Sequence, residues 1–349
     1  AIARGWNLSG RQISYGGLKD RHAITIQYLT ITSGPSHPFR SKGIELEPLG
    51  KLNRPYGPAQ FVGNRFRVVM RDLTRSEAET IGTIATKVAL DGIPNYFDDQ
   101  RFGSVGYSRR FIGHAWLVGD FEDALKLALA EPNRFDRSGV KRQKAILRDC
   151  WGDWPLAKAS LERSSTRSIV TYLVDHPTDF RGAFARLRKE LRTLYFSAFQ
   201  SHLWNLILSQ WIIRNTRPEH RVTVDLKVAP LAFPLRLDAE EKQAITSASF
   251  PLPSSRTPMP DGPLGEVIRD VLQPFDLEWN SLRVKHLKDV FLSKGSRPGL
   301  IFPRDLESTL RDDELHPRRK AIHLAFSLGK GSYATILVKR VTDVSESLE

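Results

Sequence analysis

Cysteine is almost absent: Cys150 is the only one in 349 residues. A single thiol excludes an internal disulfide framework and any paired-cysteine metal site. It fits a reducing compartment, and the expected location is the cytoplasm. Cys150 itself reads as a half-buried thiol, not a nucleophile. The nine histidines are scattered and form no His-Glu-x-x-His pair, so no metal is expected. No Gly-rich loop ends in Lys-Ser/Thr and no dinucleotide fingerprint occurs, which disfavours nucleotide-hydrolysing and redox enzymes. No apolar run is long enough to span a bilayer, and no basic-apolar-small signal segment opens the chain. Neither a membrane nor an obligate protein partner is therefore implied.

Acidic residues are also in deficit. Lys and Arg number 52 against 39 Asp and Glu, a net charge of +13. Such a surface attracts polyanions, and RNA or DNA is the first partner to consider. The cations are spread along the chain, which suggests a folded basic face and not a disordered arm. A composition 40% hydrophobic and 26% charged describes a globular protein long enough for one large domain or two ordinary ones.

Residues 24–32 are rich in β-branched side chains and read as a strand. Phe61–Met70 reads as a second strand, interrupted at Gly63-Asn64. Thr74–Leu90 is a clear helix: Thr74 and Glu77 form a capping box, and Ala78, Ile81, Ile84, Ala85 and Val88 make one apolar stripe. Asp91-Gly92 ends it and Pro94 prevents continuation. Asp120 caps a further helix, and residues 183–194 and 195–213 are helical in pattern. Phe250–Pro263, with five prolines, reads as an exposed loop. Residues 321–328 and 334–341 alternate as paired strands joined by a turn at 329–332. Strands early, helices in the middle and strands late suggest a sheet domain split by a helical insertion.

Three runs stand out. Gly17-Leu18-Lys19-Asp20-Arg21-His22-Ala23 holds Asp20 between two cations, just before the first strand. The cations would favour its ionised form if they face the same way. An ordinary turn aspartate is the competing reading. Asn95-Tyr96-Phe97-Asp98-Asp99-Gln100-Arg101-Phe102-Gly103 gathers an amide, aromatics and a guanidinium in one loop. Such a set suits an unstacked base, but it also suits a loop that docks Phe97 and Phe102 into the core. Gly331-Ser332-Tyr333-Ala334-Thr335 would place Tyr333 over a base, or bury it halfway in a hairpin. A fourth run, Ser197 to Asn205, reads as core packing with a polar edge. A hydrolase built on Ser201 and His202 is disfavoured, because adjacent residues on a helix point different ways.

Taken in order, these runs resemble the TruD family of tRNA pseudouridine synthases. Gly17 to Thr25 is similar to the family's catalytic-aspartate motif, and Asn95 to Gly103 to its second signature. Ser197 to Asn205 resembles a helix of its insertion. Arg297-Pro298 with Gly331 to Thr335 resembles its C-terminal part, and Gly63 to Phe66 is a weaker match. The resemblance implies an α+β fold: a pseudouridine-synthase catalytic domain with a mixed, largely antiparallel sheet, interrupted by a mostly helical insertion domain. The expected division is 1–119 and 295–349 for the catalytic domain and 120–294 for the insertion. The family carries a longer segment before the aspartate motif, whereas nineteen residues precede Asp20 here, so part of the first half is expected to be lacking.

The implied activity is isomerisation of uridine to pseudouridine in RNA, typically tRNA and often uridine 13, without cofactor or metal. The resemblance makes Asp20 the catalytic carboxylate. Asn95, Phe97 and Tyr333 become substrate-binding residues, and Lys19, Arg21 and Arg101 candidate RNA contacts. One position departs from the pattern: the family usually carries Gly after Asn-Tyr-Phe, and Asp98 stands there. The rival reading is a non-catalytic RNA-binding protein or RNA chaperone on the same scaffold.

Overall fold

The computed structural model describes residues 2–17, 19–20 and 22–342. Leu18 and Arg21, the latter among the expected RNA contacts, lie outside the described residues. The chain divides into two compact units, residues 1–65 with 329–331, and residues 66–328 with 332–349.

The first unit holds a short helix α1 (Ile2–Gly5) and two hairpins. Strand β1 (Ile13–Tyr15) pairs antiparallel with β2 (Leu29–Ile31), and β3 (Phe39–Ser41) with β4 (Ile44–Leu46). No described residue from Ile2 to Arg65 is fully buried. Isolated two-stranded hairpins are marginal in water, and side-chain clips reinforce this one. Ser14 Oγ donates to Tyr56 O at 2.6 Å, and Tyr56 N donates to Thr30 Oγ1 at 2.9 Å. Lys330 N donates to Val62 O at 3.1 Å and its Nζ to Pro58 O at 2.9 Å, which ties residues 329–331 to this unit.

The strand expected over 24–32 is shorter: only Leu29–Ile31 is extended and paired. Ile24, Ile26 and Tyr28 are exposed (102%, 90% and 64%). Their alternation suits a pleated, half-buried surface, but strand preference is realised only against a partner. The three residues of β1 have already been used.

Strand β5 (Gly63–Leu73) begins at Gly63 and runs without the expected interruption. In the second unit, helix α2 (Arg75–Asp91) follows it, capped by Thr74 and Glu77 as expected. Gly92 closes it at φ 78°, and a Cβ there would come within 3.0 Å of Ile301 O. Glycine thus meets both the left-handed backbone and the close approach. Strand β6 (Ile93–Pro94) leads into a helical layer: α3 (Ile112–Leu117), α4 (Phe121–Leu129), α5 (Ser138–Asp149), α6 (Trp154–Ser160), α7 (Ser165–Asp175), α8 (Phe180–Ala185) and α9 (Lys189–Asn215). The two helices expected between 183 and 213 are in fact the short α8 and the 27-residue α9. Helix α9 is buried nearly all round over its middle turns, with Phe196, Phe199, Leu203, Trp204, Ile207 and Leu208 in the core. It is the core helix of this unit, and no helix among the described residues is long and apolar enough to cross a membrane.

Strands β7 (Arg221–Asp225) and β8 (Pro230–Pro234) form an antiparallel hairpin. Helices α10 (Ala239–Thr246) and α11 (Gly262–Leu272) flank β9 (Ser249–Pro251). The proline-rich stretch after β9 is a loop, as its composition suggests, with Arg256 and Pro258 exposed, but its start is buried at Pro253 and Ser254. Gln200 on α9 holds it, donating from Nε2 to Pro253 O and Ser293 O at 3.0 and 2.7 Å. Strand β10 (Ser296–Pro298) pairs with β9, and β11 (Leu300–Ile301) with β6. Strands β12 (Arg304–Asp312) and β13 (Lys320–Gly329) pair antiparallel, and the three-stranded sheet runs β12-β13-β5.

Two late expectations change. The partner of 321–328 is β12, a polar and largely exposed strand. An edge strand carries little apolar alternation for the sequence to display. Residues 334–341 are not a strand but belong to helix α12 (Ala334–Thr342), whose Ile336, Leu337, Arg340 and Val341 are buried. A short apolar run fits either period until packing decides.

Candidate active site

Four of the expected residues meet in the second unit: Asn95, Phe97, Arg101 and Tyr333. The antiparallel β6–β11 pair brings Asn95 beside Gly299, and Asn95 N donates to Gly299 O at 2.9 Å. Gly299 also lets Phe250 pack against this pair, because a Cβ there would lie 2.6 Å from the Phe250 ring. One residue upstream of Pro298, Arg297 donates from one terminal nitrogen to both Asn95 O and Asn95 Oδ1 at 2.9 Å. Asn95 Nδ2 in turn donates to Pro298 O at 3.1 Å. The carboxamide is thus fixed at both ends.

The guanidinium of Arg297 lies 4.1 Å over the Phe97 ring and 5.0 Å over Trp204. Phe97 packs edge-on against Trp204 at 5.6 Å and against Tyr333 at 6.2 Å. Arg101 stands 5.6 Å over Phe97 and donates from Nε to Ser201 Oγ at 3.1 Å. Burial pulls Arg297 down to about 10, with Tyr333 opposing and Arg101 adding to the fall. It therefore stays charged at neutral pH. Burial also raises the Tyr333 phenol, against the pull of Arg101 and Arg297.

The backbone of this loop is held by α9. Asn205 Oδ1 accepts from Phe97 N and its Nδ2 donates to Phe97 O, both at 2.8 Å. These are the polar edge residues expected on that helix: Ser201 and Asn205 face the loop one turn apart. Asp98, the departure from the family pattern, is buried and bound at 2.7 Å by Lys339 on α12, which reaches Asp99 at the same distance. Burial alone would lower Lys339, but its two carboxylates outweigh this and raise it. The extra charge is neutralised within the fold.

Arg297, Trp204, Asn205 and Lys339 were not singled out as site residues. For Asn205 the signal was its four-residue spacing from Ser201. For Arg297 and Lys339 no local pattern existed, because each meets the loop from a distant stretch.

Asp20 and Lys19 belong to the first unit. Asp20 is exposed in the loop joining β1 to β2, and its carboxylate makes no hydrogen bond or ion pair among the described residues. Lys19 bonds to Asn64 and lies 5.1 Å over the Phe61 ring. Gly16 lets the loop start close to the unit: a Cβ there would be 3.0 Å from the Tyr56 hydroxyl.

Ser201 and His202 form no catalytic pair. Ser201 Oγ donates to Ser197 O at 2.7 Å, while the His202 ring stacks on Phe111 at 4.5 Å. Among the described residues His202 Nδ1 has no hydrogen-bond partner. Burial, helped by nearby His114, lowers this imidazole to about 4. The unfolded chain then binds the proton more tightly than the fold, so stability is present above the ordinary histidine value and falls as pH drops towards 4. Between pH 7.5 and pH 5 the protein should lose about 2 kcal/mol more than His202→Phe in denaturant unfolding. Equal losses would contradict a neutral buried imidazole.

Among the described residues one cluster has metal-ligand character. Ligand atoms of His220, Asp238 and Glu241 lie within 4.8 Å of one another. They are already engaged: Glu241 accepts from Arg217 N, Asp238 N and His220 Nδ1. Burial would raise Glu241, but these bonds hold it low. Asp238 and Glu241 form the capping box of α10, and Arg217 and His220 bond to its glutamate.

An α+β scaffold that gathers a clamped amide, a ring pair and buried cations suits a base-modifying enzyme. The profile of the family tRNA pseudouridine synthase D (TruD) matches residues 1–341. A Methanococcus maripaludis protein named "Probable tRNA pseudouridine synthase D 1" is 29% identical, covering 98% of this chain and 88% of the relative. The tRNA pseudouridine synthase D of Leptospira interrogans serovar copenhageni is 28% identical, over 95% of this chain and 82% of its own. A crystal structure of a Methanosarcina mazei protein assigned to TruD superposes with a TM-score of 0.75 at 25% identity, covering 98% of this chain and 84% of that one. The chain belongs to the tRNA pseudouridine synthase D family.

Proposed function

We propose that this chain isomerises a uridine of tRNA, at position 13, to pseudouridine, with Asp20 as the catalytic carboxylate. What supports the reading is the family match over residues 1–341, together with the packing of Asn95 and Phe97 on Arg297 and of Tyr333 on Phe97. The reaction breaks the bond from N1 of uracil to C1′ of the ribose and forms one from C5. The hydrogen on C5 leaves as a proton, and N1 takes one up. Atoms and oxidation state balance without any redox partner.

In this reading a target base leaves its stack, at a cost of a few kcal/mol, and Asp20 attacks the base or sugar or acts as a base at the sugar. Tyr333 contacts the uracil face. Phe97, 8% exposed and covered by Arg297, supports the base from below, and Asn95, its carboxamide held by Arg297 and Pro298, orders the loop at the base edge. Lys19, Arg21 and Arg101 meet phosphates. Residues 120–294 form the insertion that reads RNA shape, and the enzyme works in the cytoplasm, where tRNA is processed.

The test is an incubation of unmodified tRNA transcripts with the protein, followed by position-resolved mapping of pseudouridine. One new pseudouridine at position 13 supports the proposal. RNA binding with no pseudouridine at any position favours the non-catalytic reading.

A further inference from the structure

The loop after α4 presents a ring to solvent. Phe135 is 75% exposed, and a lone exposed ring is ordinary. Its setting is not. Phe135 N donates to Asn133 Oδ1 at 3.1 Å, and Asn133 N donates to Asp136 Oδ2 at 3.0 Å. Lys144 on α5 binds the same Asp136 oxygen at 2.8 Å. The loop is therefore held rigidly with its ring outward. Two cations attend the ring, Lys227 at 5.9 Å and Arg134 at 6.0 Å.

The loop is continuous with the candidate site. Asn133 Nδ2 donates to Gly103 O and Val105 O at 2.8 and 3.1 Å, just past the Asn95–Gly103 run. Lys227 donates from Nζ to Phe102 O at 2.8 Å and from its backbone to Asp99 Oδ1 at 3.0 Å. The adjoining loop carries a second exposed ring, Tyr107, tied by its backbone to Pro132 O at 3.2 Å. Residues 134–148 hold six Lys and Arg against one acid, Asp136. Among the described residues Arg134, Arg137, Lys141 and Arg142 are exposed and in no ion pair.

We infer that Phe135 and the basic flank of α5 form an RNA-docking surface. An unpaired base stacks on Phe135, and the phosphates on either side lie along Arg134, Arg137, Lys141 and Arg142. Every base has a π-face, so a ring framed by cations suits single-stranded RNA without demanding a sequence. The inference rests on the proposed RNA substrate and names where that RNA is held outside the pocket.

The test measures binding of an unmodified tRNA transcript and of a short oligouridylate across a salt series, and pseudouridine yield separately at saturating RNA. Phe135→Ala should weaken both RNAs about tenfold, with Phe135→Trp restoring affinity. It should leave binding of duplex DNA and the yield at saturation unchanged. Lys141→Glu with Arg142→Glu should flatten the salt dependence by about 1.5 in log–log slope, as two lost phosphate contacts require. Wild-type RNA affinity in Phe135→Ala would overturn the inference, and is what a surface for an acidic protein predicts. So would an equal loss on duplex DNA. A protein that binds through Phe135 yet makes no pseudouridine leaves the surface standing and sinks the proposed activity. Pseudouridine formed with an unchanged KM in Phe135→Ala sinks the surface alone.

Discussion

Replacing Arg297 by Leu is expected to lower pseudouridine formation about a hundredfold, chiefly in kcat. The guanidinium touches Asn95, Phe97 and Trp204 together. Its loss leaves the Asn95 oxygens without a charged donor, which costs about 1.5–3 kcal/mol. Losing the cation from two ring faces adds about 1–2 kcal/mol more. Part of this appears as instability and part as misplacement, and a shift of about 1 Å in a positioning group is enough for a hundredfold loss of rate. Arg297→Lys separates the two. It keeps the charge over Phe97 but not the planar fork, so stability should largely return while the rate stays low. If Arg297→Lys restores both, the residue acts as a buried charge and not as a clamp on Asn95. The measurement is a kcat and KM determination on tRNA transcripts, beside denaturant unfolding of both variants.

How far the sequence alone could go depends on how local each signal was. Helix α2 was readable because its cap, stripe and stop all lie within 19 residues, Thr74 to Gly92. The Asn95–Gly103 run was readable as a cluster of unusual residues, and the core-docking reading describes its rings. Phe97 and Phe102 are docked in the core, yet the loop is also clamped by Arg297 and Asn205. Asp98 and Asp99 are paired not by the neighbouring Arg101 but by Lys339, more than 200 residues away. Long-range electrostatics of this kind leave no local trace. Residues 24–28 and 334–341 misled for one shared reason. Their side chains fit a strand, but in one case no partner strand among the described residues lies alongside and in the other a helix buries the same residues better. Arg297 was visible only as half of an Arg-Pro pair, because its importance comes from the β9–β10 and β6–β11 pairings that carry it to Asn95.

The largest effect is expected at Asp20. Asp20→Asn keeps the shape and most of the hydrogen-bonding capacity of the side chain but removes the charge and the nucleophilic oxygen pair. Because Asp20 is exposed and makes no hydrogen bond among the described residues, the substitution should not change stability. Loss of activity could then not be ascribed to unfolding. Covalent or general-base participation by a carboxylate is worth at least about a thousandfold, so pseudouridine should fall below detection. RNA affinity should stay within about twofold, since a single carboxylate contributes nothing to phosphate binding.

Forming the carbon–carbon bond must expel the hydrogen at C5, and this gives the most direct measurement. A tRNA transcript carrying tritium at C5 of uridine is incubated in excess enzyme, and tritium appearing in water is counted over time. The expected result is one tritium released per tRNA with the wild-type chain and none above background with Asp20→Asn at equal RNA occupancy. Release at the wild-type rate from Asp20→Asn would contradict the assignment of that carboxylate. No release from the wild-type chain with tRNA fully bound would contradict the activity itself.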